Sequence, residues 1–95
     1  MAFPEAVEQE HWGNPSFRVR GRIFATLPDE GHANLMIDPF DVEAAVRENP
    51  DSCTELWWGK QLSGVRVSLA QASPQMVEAL LDAAWRRKAP KRLLP

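Results

Sequence analysis

The run Phe17-Arg18-Val19-Arg20-Gly21-Arg22-Ile23-Phe24 constrains this chain more than any other feature. Phe17 and Val19 alternate with Arg18 and Arg20, a period of two that turns the apolar side chains to one face of a strand and both arginines to the other. Gly21 breaks the alternation and Ile23–Leu27 resumes an apolar, β-prone run. The segment therefore predicts a tight hairpin with Arg20 and Arg22 at its tip. Pro28-Asp29-Glu30-Gly31 is a further turn, with a proline preset for its second position and a glycine free to take positive φ. Ala33–Ile37 follows as a third strand, which makes the opening sheet a meander.

Two helices announce themselves in the same way. Asp38-Pro39 and Ser73-Pro74 each place a capping side chain before a proline that fits the first helical turn. Phe40, Val42, Ala45 and Val46 predict a helix over Pro39–Glu48, ended by Asn49-Pro50. Val77, Leu80, Leu81, Ala84 and Trp85 predict a final helix whose apolar stripe covers the sheet, opposite Glu78, Asp82 and Arg86. Between them, Thr54–Trp58 and Val65–Leu69 read as a second hairpin, joined by a connection over Gly59–Gly64 that is longer than a two-residue turn. The first ten residues, with Pro4 and few apolar positions, read as a lead-in carrying one irregular helical turn. After the last helix, prolines forbid helix, and Leu93 and Leu94 are free to pack back.

At 95 residues and 44% apolar content, the chain is expected to form one domain over residues 1–95 around one core, anchored by its four Trp and four Phe. Trp12 and Trp85 read as packing anchors. Trp57 and Trp58 are neighbours on a strand and must point to opposite sides, so one is expected in the core. A single cysteine, Cys53, leaves no intrachain disulfide, and a cytoplasmic location is the simplest expectation. No apolar stretch approaches the roughly 18 residues of a spanning helix, and the acidic opening lacks the features of a secretion signal.

Residues that carry chemistry do not assemble into a catalytic, metal or cofactor motif. His11 and His32 lie in different segments without spaced Cys or a paired His. Ser16, Ser52, Ser63, Ser68 and Ser73 lack a nucleophile-elbow context, and Cys53 lacks an evident base. Gly59-Lys60 lacks the spaced glycine and following Ser/Thr of a phosphate loop. A non-catalytic role without cofactor is expected.

With 11 Lys/Arg against 13 Asp/Glu, a net charge of −2, nucleic-acid binding would require local clustering of cations. Three clusters are candidates: Arg18, Arg20 and Arg22 on the first hairpin, Lys60 and Arg66 on the second, and Arg86-Arg87-Lys88 with Lys91-Arg92 at the end of the last helix. Each also has a plain structural explanation. Strand cations discourage edge pairing, and cations at a helix C-terminus complement its dipole.

The phrases Trp12-Gly13-Asn14-Pro15-Ser16-Phe17-Arg18-Val19-Arg20-Gly21-Arg22-Ile23-Phe24-Ala25, Gly59-Lys60, Val65-Arg66-Val67 and Trp85 through Ala89-Pro90-Lys91 resemble, in this order and spacing, the MmcQ/YjbR family of small bacterial proteins. Arg22 stands where lysine is commoner. The resemblance implies an α+β two-layer sandwich, an antiparallel five-stranded sheet of order α-β3-α-β2-α, of the kind also found in CyaY-like and secretion-chaperone-like folds. Only the end of the first helix, Ala2–Val7, is expected here, which would leave an apolar strip of sheet bare.

The resemblance also implies DNA binding, with the two hairpins acting as wings. On this sequence its phosphate contacts fall to Arg18, Arg20, Arg22, Lys60, Arg66, Arg87 and Lys91, giving weak, salt-sensitive binding. The alternative is a protein-interaction or dimerisation domain using the bare strip, with no membrane role.

Overall fold

The computed structural model describes residues 3–11, 13–89 and 91. It is an α+β sandwich whose antiparallel sheet has six strands, not five. These are β1 (Ala6–His11), β2 (Asn14–Val19), β3 (Arg22–Asp29), β4 (His32–Leu35), β5 (Cys53–Trp58) and β6 (Gln61–Ser68), in the order β1-β2-β3-β4-β6-β5. Helix α1 (Pro39–Glu48) packs on β5 and β6, and α2 (Pro74–Lys88) packs on β3 and β4.

The sixth strand corrects the reading of the lead-in. Ala6–His11 pairs along β2, from Ala6 opposite Val19 to His11 opposite Asn14, and is not the end of a helix. Its residues lack helical apolar spacing, and the free edge of β2 supplies backbone partners that the sequence alone does not display. Ahead of β1, Phe3 meets Phe24 edge-on at 6.2 Å and stacks on Trp85 at 5.9 Å. The Trp85 indole N–H donates to the Pro4 carbonyl at 3.1 Å. A turn at Phe3–Ala6, closed by the Ala6 N–H donating to the Phe3 carbonyl at 3.2 Å, thus covers the core beside α2. The expectations for Trp12, Leu93 and Leu94, and the Ala2 end of the lead-in, lie outside the described residues.

Both helix starts are as the sequence predicts: Asp38 Oδ1 accepts from the Asp41 N–H at 3.0 Å and Ser73 Oγ from the Met76 N–H at 3.1 Å. The second hairpin is tighter than predicted. Gly59-Lys60 alone separates β5 from β6, with Gly59 at φ 62° as a type II′ turn requires. Strand β6 therefore begins at Gln61, and Ser63 is an extra residue in its register opposite Leu56 and Trp57. Gly64 is needed because a Cβ there would stand 2.2 Å from the Leu35 carbonyl oxygen. At the first hairpin both tip residues take positive φ, Arg20 at 53° and Gly21 at 78°, as in a type I′ turn.

Register and alternation divide the sheet into two faces. Val19, Phe24, Ala25, Ala33, Leu35, Cys53, Val65 and Val67 lie on the helix-covered face and are buried, with Phe17, Leu27 and Leu62 packed against them. An extra residue in β3, opposite Phe17 and Arg18, lets Phe24 and Ala25 both turn inward. Among the described residues, the other face carries no helix. Across it runs one hydrogen-bonding row through all six strands: Gln9, Ser16, Thr26, Asn34, Arg66 and Thr54. The expected bare apolar strip is therefore a largely polar surface, because most apolar positions of the alternation went to the covered side, while Val7, Ile23, Leu56 and Trp58 remain on the uncovered one.

Candidate nucleic-acid interface

Antiparallel pairing puts both hairpin tips at the same end of the sheet. Strand β2 runs up to Arg20-Gly21 and β3 runs down from it, while β5 runs up to Gly59-Lys60 and β6 runs down. With β3, β4 and β6 between the outer strands, the tips stand about 14 Å apart at the ordinary strand spacing. The last turn of α2 reaches the same end. Arg22 Nη1 donates to the Lys88 carbonyl at 3.4 Å, and Arg87 Nη1 donates to the Ile37 carbonyl at 2.6 Å.

Arg20, Arg22, Lys60 and Arg87 are therefore brought to one end, with exposed Lys91 just past the C-cap of α2. Arg18 lies two residues before the first tip, on the uncovered face, with its Nε on Ser16 Oγ at 3.4 Å. Arg66 does not join them. It sits farther down that face, its Nε donating to Asn34 Oδ1 at 3.2 Å. The far end of the sheet collects the carboxylates Glu10, Asp29, Glu30, Glu48 and Asp51, while Glu5, Asp38 and Asp41 lie at the tip end.

The gathered cations are not equivalent. Arg20 is clamped by Glu5, Nε to Oε1 at 2.6 Å, two residues both in the left-handed backbone region. Arg86 is paired with Asp82 at 2.8 Å. The ion pairs of the described residues do not reach Arg22, Arg87 or Lys88. Lys88, which sequence reading left out of the contact set, is half-buried between the other two. Burial, and then repulsion from Arg87 and Arg22, push its ammonium pKa below the usual lysine range. Its place in a dense basic run was legible. That Arg22, 66 residues away, reaches its backbone carbonyl was not.

The two tryptophans overturn another expectation. Neither is in the core: Trp57 is 50% exposed, on the helix side of β5 with its indole N–H on Glu55, and Trp58 is 59% exposed on the uncovered side. The strand lies at the sheet edge, where the described residues leave both rings half or more exposed.

Elsewhere, burial pushes the Cys53 thiol up, with the Ser52 hydroxyl opposing, so its thiolate is disfavoured. Among the described residues, no group of three or more His, Cys, Asp or Glu is arranged to hold a metal ion. Among the described residues, no helix is long and apolar enough to cross a membrane.

A family model described as YjbR matches residues 1–87 of this chain. No curated protein and no solved structure matches it.

Proposed function

The chain belongs to the YjbR family, and from that premise we propose that it is a non-catalytic, cytoplasmic DNA-binding module that holds phosphates at the hairpin-tip end of its sheet. One observation supports this most: Arg22, Arg87 and Lys88 converge without a carboxylate among their described ion pairs, and burial, then repulsion from Arg87 and Arg22, lowers the Lys88 pKa. A lysine with a depressed pKa is a group whose charge the folded state resists. That cost is present while Lys88 is protonated and fades as pH rises through its folded-state value. A phosphate among the three cations reverses the sign, because it favours the charged ammonium and satisfies guanidinium N–H groups that the two carbonyl bonds leave over. Lys60 and Lys91 extend the basic end on either side.

Titration of duplex DNA at two salt concentrations tests the reading. Binding that weakens steeply with salt is expected, with a log–log slope of about −3 for three or four phosphates. No binding at low salt, or a slope indistinguishable from zero, overturns it.

A second reading, self-association, is favoured by the exposed apolar side chains Phe40, Trp57 and Val7. Light scattering on the purified chain decides it, and a monomer at high concentration removes it.

A further inference from the structure

The uncovered face of the sheet has a composition that the net charge of the chain does not predict. Strand acids alternate to the other side: Glu8 lies opposite Phe17, and Glu55 lies opposite Val65, both on the helix-covered face. Among the described residues, the one carboxylate that the register brings to the uncovered face is Asp29, at the far turn. It is already engaged, accepting from the Gly31 N–H at 2.8 Å and meeting His32 Nδ1 at 2.9 Å. What the face does present is Arg18, Arg66, the polar residues Gln9, Thr26, Asn34 and Thr54, and, at the hairpin-tip end, Trp58 beside Lys60, while Ser16 is buried in the row with its hydroxyl donating to the Gln9 carbonyl.

A polyanion approaching this face meets no row of repelling carboxylates, in a chain whose acids outnumber its bases. The row supplies both donors and acceptors at one strand spacing, on a surface no helix blocks. The exposed indole of Trp58 supplies a flat stacking partner, and Lys60 a cation at the same tip. A duplex can use the cations but not the rest, since its base faces are stacked inside and its edges lie in grooves. A single strand presents base faces, base edges and phosphates together. An apolar protein partner fits less well, because Val7, Ile23 and Leu56, all on the tip side of the polar row, are interrupted by Arg18 and Gly64.

We propose that this face binds single-stranded nucleic acid, with a base stacked on Trp58, phosphates at Lys60 and Arg66, and base edges along the row through Thr26, Asn34 and Thr54. The inference rests on the phosphate-binding reading above and names the form of nucleic acid that the molecule prefers.

Fluorescence anisotropy with one labelled DNA oligonucleotide, free and annealed to its complement, tests it at a single low salt concentration. The single strand is expected to bind roughly tenfold or more tightly than the duplex, and Trp58→Ala to weaken single-strand binding by about tenfold. Trp58→Phe should retain most of the affinity, since it keeps a stacking ring. Trp57→Ala, on the other side of the same strand, should leave it unchanged. Arg66→Gln should reduce the single-strand salt slope by about 0.7. Thermal melting of each variant separates lost contact from lost fold. Duplex binding equal to or tighter than single-strand binding, with Trp58→Ala silent, overturns this inference and leaves the phosphate-binding reading standing. Binding of neither form overturns both.

Discussion

The β2–β3 hairpin brings Arg18, Arg20 and Arg22 to its turn, whereas the β5–β6 hairpin has Lys60 alone at its tip. Charge density would make the first the stronger binding wing. The structure distributes the work otherwise. Arg20 is clamped by Glu5, Arg22 reaches the Lys88 carbonyl and Arg18 lies on Ser16, so the first hairpin uses its cations to tie the lead-in segment and α2 to the sheet. The second hairpin meets few neighbours and holds Lys60, Trp57 and Trp58 in solvent. Cations close in sequence are available to a ligand only in proportion to what the rest of the chain leaves unused.

Glycine substitutions probe this comparison most strongly. Gly64→Ala forces a Cβ into the Leu35 carbonyl, where backbone must move, and should cost about 3 kcal/mol or prevent folding, read by chemical denaturation. Gly21→Ala and Gly59→Ala meet open space and carry only the strain of positive φ, about 1 to 2 kcal/mol each. A tolerated Gly64→Ala would break the assigned approach of β6 to β4.

Next come the cations. Arg87→Met removes the 2.6 Å bond to the Ile37 carbonyl and should destabilise by about 1.5 kcal/mol. Lys60→Ala should change stability by less than about 0.5 kcal/mol while lowering the duplex salt slope by about 1. The opposite pattern would mean that the second tip is the structural one.

Smaller again is Glu5→Gln, which opens the Arg20 clamp. The pair is part-exposed, so the loss in denaturation should stay below about 1 kcal/mol, while DNA binding tightens as Arg20 is released and an acid is removed. Unchanged binding would show that Arg20 takes no part.

The smallest effect lies at the far end, as a contrast to both tips. The hydrogen bond from His32, then that from Gly31, lowers the Asp29 carboxyl pKa. A carboxylate with a lowered folded-state pKa contributes stability above its unfolded value and loses it as pH falls through the folded one. Melting curves on the acid side should therefore show a slight extra loss in the native chain that Asp29→Asn lacks.

Local signals carried most of the fold. The alternation at Phe17–Val19, the turn residues Gly21 and Gly31, and the paired starts Asp38-Pro39 and Ser73-Pro74 placed the meander and both helices, because each acts within one turn or one strand. Readings that needed a partner from far away failed. Ala6–His11 has too few apolar alternations to declare itself a strand, and pairing with β2 made it one. The tight Gly59-Lys60 turn went unrecognised because Gln61–Gly64 is a weak β-former that acquires strand geometry by pairing with β5.

For the candidate site the division is the same. Arg20, Arg22, Lys60, Arg87 and Lys91 were identifiable as cations near turns and a helix end, since charge and turn chemistry are properties of short segments. Their gathering at one end, the burial of Lys88 between Arg22 and Arg87, the exposure of both Trp57 and Trp58, and the polar row from Gln9 to Thr54 belong to strand order and register. Composition and local pattern determined that this chain would form an antiparallel sheet with helices on one face and would carry basic hairpin tips. Only the tertiary structure decided which cations bind the protein's own carbonyls and carboxylates and which side chains stay in solvent, because that depends on groups tens of residues apart meeting across strands whose pairing no short segment encodes.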